Sequence, residues 1–150
     1  MDEEQRLTMS TEVMTGIIEP ATYAGTDMFR VEVRRNGIAT SGHLVNKARM
    51  GAFVEEHQFA TVTMGDQVLD LSDARLDISP YFEGDRAALI IWLKDAVKYH
   101  QRIVEEYKRG QRGKNLDAAG RSEMLAVNKA ALVDAEQQLR LQQAALAVGL

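Results

Sequence analysis

Residues 28–40 read MFRVEVRRNGIAT, and this stretch decides the fold class. Phe29, Val31 and Val33 fall on one face of an extended chain, with Arg30, Glu32 and Arg34 on the other. Asn36-Gly37 then supplies two residues that accept positive φ, as a type I′ turn requires, so Ile38 to Thr40 are expected to return antiparallel. The stretch therefore predicts a sheet with one apolar and one polar face. A second hairpin is predicted in residues 59–72, FATVTMGDQVLDLS, where a two-residue loop at Gly65-Asp66 sets Val62 opposite Leu69 and Ala60 opposite Leu71. Gln67 and Val68 are the two side chains that this register places on the wrong face.

Between the hairpins, Leu44, Val45, Ala48, Ala52 and Phe53 recur at helical spacing and predict a short helix, weakened at Gly51. Residues 74–79, ARLDIS, alternate once more, and Pro80 closes the strand region because it has no backbone N–H for a ladder.

Beyond Pro80 the apolar period changes from two to between three and four. A helix is predicted from an N-cap at Asp85 to about Arg109, with Ile90, Leu93, Val97, His100, Val104 and Tyr107 along one seam. Its start, AALIIWLKDA at residues 87–96, is apolar nearly all round and is expected to be buried against the sheet. A last helix carries Leu125, Leu132, Leu139 and Leu146 at heptad spacing, with Asn128, Ala135 and Gln142 between them, so the leucines are expected to carry the contact. Two such segments joined by a short loop fold back as an antiparallel pair.

The expected architecture is α+β: a small antiparallel sheet of four or five strands in two hairpins with one short helix, then a long helical hairpin. Residues 1–80 form the β-rich region and 85–150 the hairpin, within a single domain overall. Helices of about 37 Å and 48 Å are too long to lie wholly on a sheet of ~20 Å. Flanks such as Val127, Leu141, Ala144 and Val148 would be covered by a second copy in a four-helix bundle, which predicts a homodimer or higher oligomer, or else by the chain's own β half.

Composition narrows the chemistry. The 150 residues carry a net charge of −4, which argues against a general nucleic-acid coat. There is no cysteine, which removes disulfides and thiolate chemistry. The acidic, polar start MDEEQRLTMS and the lack of a long apolar run predict a cytoplasmic protein without a membrane span. His43, His57 and His100 have no metal-ligand spacing, and Asp66, Asp70, Asp73 and Asp77 scatter over strands and turns, so no cofactor and no catalytic set is expected. His100 is expected to pair with a carboxylate or glutamine across the hairpin. Trp92 and Tyr99, seven apart and off the seam, pack on the sheet by default and would form a binding hot spot if exposed.

Two basic clusters remain. Arg30, Arg34 and Arg35 lie on one strand, and residues 105–117, EEYKRGQRGKNLD, place Lys108, Arg109, Arg112 and Lys114 between the helices. Within that loop, GQRG at 110–113 resembles the Gly-x-x-Gly loop with which KH domains grip a nucleic-acid backbone, although the long flanking helices depart from that module. Read as a turn, the same loop uses Gly110 as a left-handed C-cap and Asn115 as the next N-cap. The functional expectation is a non-catalytic interaction protein, an adaptor, inhibitor or assembly factor, that self-associates through Leu125, Leu132, Leu139 and Leu146 and meets another protein through Trp92 and Tyr99. The alternative is a binder of a nucleotide, nucleic acid or other anion at the arginines and the basic loop.

Overall fold

The computed structural model describes residues 12–72, 76, 82 and 84–150. The expected strand at residues 74–79 lies outside them except for Leu76, which is buried. The chain divides into two compact units, Met1–Asp77 with Ala144–Leu150, and Ile78–Gln143.

The first unit is built on five strands: β1 (Met14–Tyr23), β2 (Thr26–Arg35), β3 (Ile38–Val45), β4 (Thr61–Met64) and β5 (Gln67–Asp70). Their order in the sheet is β3-β2-β1-β4-β5. The alternation in residues 28–40 is realised: Val31 and Val33 are buried, while Arg30 is exposed on the opposite face. Asn36 and Gly37 turn the chain at φ of 51° and 82°. The second expected hairpin also forms, with Val62 paired to Leu69 and the Leu71 N–H donating to the Ala60 carbonyl at 2.9 Å. Val68, anticipated as a misfit, is exposed opposite Thr63.

Three features differ from the expectation. A further hairpin joins β1 to β2 through Ala24-Gly25, whose φ angles of 51° and 78° again belong to a tight turn with both residues left-handed. The β1 strand also pairs in parallel with β4, Gly16 level with Val62, so the sheet is mostly rather than wholly antiparallel. Finally, Leu44 and Val45 end β3 rather than beginning the short helix, because the pairing of Phe29 with Val45 holds them in the ladder. The helix follows instead from a 3-10 turn, Lys47–Arg49, capped by the Asn46 carboxamide on the Arg49 N–H, into α1 (Met50–His57).

Packing in this unit centres on the face that carries Ile18, Val31, Val33, Val62 and Leu69. Phe59 lies over the middle of that face, and Gly16 admits it: a Cβ on Gly16 would stand 3.3 Å from the Phe59 ring. The end of the chain belongs to the same unit. Its Schellman cap has the Leu150 N–H on the Ala145 carbonyl and the Gly149 N–H on the Leu146 carbonyl.

The second unit holds α2 (Arg86–Lys108) and most of α3 (Ala118–Ala147). Asp85 caps α2 as expected, its carboxylate accepting from the Ala88 N–H at 3.1 Å. The cap of α3 is Asp117, which accepts from the Gly120 N–H at 2.7 Å, and not the expected Asn115. Asn115 lies two residues too early because the Leu116 N–H still closes on the Gly113 carbonyl at 3.0 Å, within the loop.

Candidate functional site

Polar pairs set the register of the helical hairpin. His100 Nδ1 lies 3.4 Å from Asn128 Oδ1, and the Arg86 guanidinium donates to Gln142 Oε1. Both pairs are centred on Lys114, the midpoint of 86 and 142 and equally of 100 and 128. That register sets Ile90, Val97 and Val104 level with Gln138, Ala131 and Met124, each one residue before a leucine of the row. His100 thus has a polar partner across the hairpin, but it is an asparagine where a carboxylate or glutamine was expected.

Within this frame the expectation for the leucine row is corrected. Gln142 is fully buried and Ala135 nearly so, whereas Leu125, Leu132 and Leu139 are only half-buried and Leu146 is 38% exposed. The hydrogen bonds that Asn128 and Gln142 accept from α2 put those residues on the midline, which turns the leucine row to one side.

The start of α2 is corrected as well. Ile90 and Leu93 are buried, but Ile91 is 63% and Trp92 56% exposed. With each residue advancing about 100° around the axis, a run apolar all round must expose part of itself once one face is chosen. Tyr99 is 51% exposed, so Trp92 and Tyr99 form an outward flank of α2 with Asp95 and Arg102 along it. The Arg102 guanidinium sits 5.7 Å from the Tyr99 ring centre, and the Phe82 ring meets Trp92 edge-on at 6.2 Å. On α3, Val127 is 55% exposed.

The basic loop is a closed turn. Gly110, at φ 71°, ends α2 in a Schellman cap with Gln111 N–H on the Glu106 carbonyl at 2.8 Å. Arg112 Nε lies 2.7 Å from the Glu106 carboxylate, which holds the guanidinium pKa above its ordinary value, and Arg109 pairs with Glu105 at 3.7 Å. Gly113, at φ 77°, lies against the Tyr107 ring, where a Cβ would come within 2.8 Å. Lys108 and Lys114 remain exposed, so of the four loop cations two are already matched by carboxylates. The arginines of β2 are similarly laced: Arg34 with Glu32 at 3.3 Å, Arg35 with Glu12 at 3.5 Å, and Arg30 level with Glu19 on β1. Strand alternation also sends Arg35 to the opposite face from Arg30 and Arg34.

One cluster was not legible from spacing. His43 on β3 and Phe53 and His57 on α1 gather with Phe59; the two imidazoles are 5.7 Å apart, and His57 stacks on Phe59 at 5.4 Å. Ser41 Oγ lies 2.9 Å from His43 Nε2, and His57 Nδ1 lies 2.9 Å from the Phe53 carbonyl, to which it donates when that nitrogen carries the proton. Fourteen residues separate the histidines, and only the β3–α1 connection brings them together. Among the described residues, no three side chains of metal-ligating type converge, and no helix is long and apolar enough to cross a membrane. Compared with known protein families, characterised proteins and solved structures, the chain matches none.

Proposed function

We propose that this chain is a non-catalytic interaction protein that acts as a homodimer, with the Trp92–Tyr99 flank of α2 as the contact between copies and the assembled dimer presented to another protein. The observation that carries this reading is the exposure of Trp92 and Tyr99, large aromatic side chains of the kind that dominate protein interfaces. A second copy is favoured as the occupant because the flank is self-complementary. Asp95 and Arg102 lie at equal distances on either side of the midpoint between Lys98 and Tyr99. Two copies of α2 crossing antiparallel about a two-fold axis at that point set the Asp95 of each against the Arg102 of the other. The leucine row, half-occupied inside its own chain, supports the hairpin rather than the contact between copies.

The reading is tested by the solution mass, measured by light scattering, of the wild-type chain and of the double variant Trp92→Ala/Tyr99→Ala. A dimer reduced to a monomer by these exposed substitutions supports it; a wild-type monomer would sink it.

A further inference from the structure

The Asn36-Gly37 turn that joins β2 to β3 carries a chemistry that the fold leaves open. In an Asn-Gly linkage the glycine nitrogen can add to the carboxamide carbon of the asparagine, and a glycine lacks the Cβ that crowds this addition elsewhere. Both residues are exposed here, and a Cβ built on Gly37 would meet nothing within 4 Å. The β2–β3 ladder stops at the Arg35–Ile38 pair, so the Gly37 N–H is not one of its rungs.

The other three asparagines are held differently. The nitrogen that would attack Asn115 is that of Leu116, whose N–H donates to the Gly113 carbonyl at 3.0 Å. The one that would attack Asn128 belongs to Lys129, inside α3, where it is committed to the helical ladder. Asn46 is followed by Lys47, whose side chain crowds the approach, and its Oδ1 accepts from the Arg49 N–H at 3.0 Å. The Asn36 carboxamide is also restrained, by a bond that its Oδ1 accepts from the Val13 N–H at 2.9 Å. Both partners of that bond are exposed, so water can replace it.

We propose that Asn36 is a site of spontaneous deamidation and isomerisation in the folded chain, with the Gly37 nitrogen and water as the reactants. The Gly37 nitrogen, having lost its proton to water, adds to Asn36 Cγ. The Cγ–Nδ2 bond then breaks, ammonia leaves with a proton taken from water, and a five-membered succinimide remains. Water opens that ring at either carbonyl. Cleavage of the new C–N bond gives aspartate, and cleavage of the original peptide C–N bond gives isoaspartate. The net change is one water consumed, one ammonia released and a carboxylate where a carboxamide stood.

The product alters the fold locally because Asn36 ties the start of β1 to this turn through two bonds. Its N–H donates to the Val13 carbonyl at 2.8 Å, and its Oδ1 accepts from the Val13 N–H. Isoaspartate routes the main chain through Cβ and so lengthens a two-residue loop whose geometry has no room for the extra atom. Residue 13 is then expected to loosen from the turn. This inference rests on the turn alone and not on the α2 contact.

The test is incubation of the wild-type chain, folded and in denaturant, followed by peptide mapping with mass spectrometry and chromatographic separation of isoaspartyl from aspartyl peptides. In the folded chain Asn36 should convert at least about tenfold faster than Asn46, Asn115 or Asn128. Its product should contain isoaspartate, and its rate should rise about tenfold for each unit of pH near neutrality, since the attacking nitrogen must be deprotonated. Unfolding should change the rate at Asn36 by less than about tenfold, because an exposed turn opens at little cost, and should speed Asn128 by more. Converted chains, separated by charge, should exchange the amides of residues 13 and 36 faster than unconverted ones. Conversion spread evenly over the four asparagines, aspartate without isoaspartate, a rate indifferent to pH, or an Asn36 as stable as Asn128 in the folded chain overturns the proposal. So does unchanged amide exchange at residues 13 and 36 after conversion.

Discussion

His100 and Asn128, 28 residues apart in sequence, meet across the hairpin with Nδ1 at 3.4 Å from Oδ1. This rung does for the hairpin what a buried polar pair does in many helical assemblies: it penalises any sliding of one helix along the other, since a slip leaves both groups unmatched. His100→Leu and Asn128→Leu are each expected to destabilise the chain by about 1 kcal/mol. The double variant should lose less than the two together, with a coupling of roughly 0.5–1 kcal/mol by denaturant titration.

The loop glycine is expected to be more sensitive than any turn glycine in the sheet. At Gly113 a side chain meets both a left-handed backbone and the Tyr107 ring 2.8 Å away, whereas at Gly25 and Gly37 nothing stands within 4 Å. Gly113→Ala should therefore cost about 1–3 kcal/mol, and more than Gly37→Ala, in thermal or chemical unfolding. Recovery of part of that loss in Gly113→Ala/Tyr107→Ala would identify the ring as the obstacle.

Asp70 carries a small acid dependence of known sign. The Ser72 hydroxyl donates to its carboxylate at 2.6 Å and the Ser72 N–H at 3.0 Å, and these bonds hold the Asp70 pKa below the usual carboxylate range. A depressed folded-state pKa contributes stability that is present above the unfolded value and lost as pH falls through the folded one. Carboxyl-carbon NMR titration should give a midpoint that moves upward in Ser72→Ala.

How much of this was visible in the sequence depends on whether the deciding contact was local. Asn36-Gly37 announced its turn because both residues tolerate positive φ, while Ala24-Gly25 adopts the same backbone with an alanine that gives no such signal. The parallel pairing of Thr15 with Thr61 spans two hairpin strands and α1, and no local pattern encodes it. Leu44 and Val45 fit a helical period and a strand end equally well until Phe29 claims Val45. The same limit applied to the site. The seam of α2 was legible as a 3–4 repeat, but which side of an all-round apolar turn stays outside is set by tertiary packing, so the exposure of Ile91 and Trp92 had no local signal. The basic clusters were legible as charge and illegible as ion pairs, because Glu106, Glu32 and Glu12 meet Arg112, Arg34 and Arg35 through geometry that spacing does not give.

Charge reversal tests the symmetry of the proposed contact. Asp95→Arg sets one positive charge against Arg102 at each end of the flank and is expected to dissociate the proposed dimer. Adding Arg102→Asp restores opposite signs and should restore association. Circular dichroism melting of both variants separates loss of contact from loss of fold.

The central claim is that two copies meet through the exposed aromatic flank of α2. Sedimentation equilibrium over a range of concentrations, on the wild type and on Trp92→Ala/Tyr99→Ala, tests it most directly. The account predicts twice the chain mass for the wild type and a single-chain mass for the variant; a single-chain mass for both, or an undiminished dimer in the variant, would contradict it.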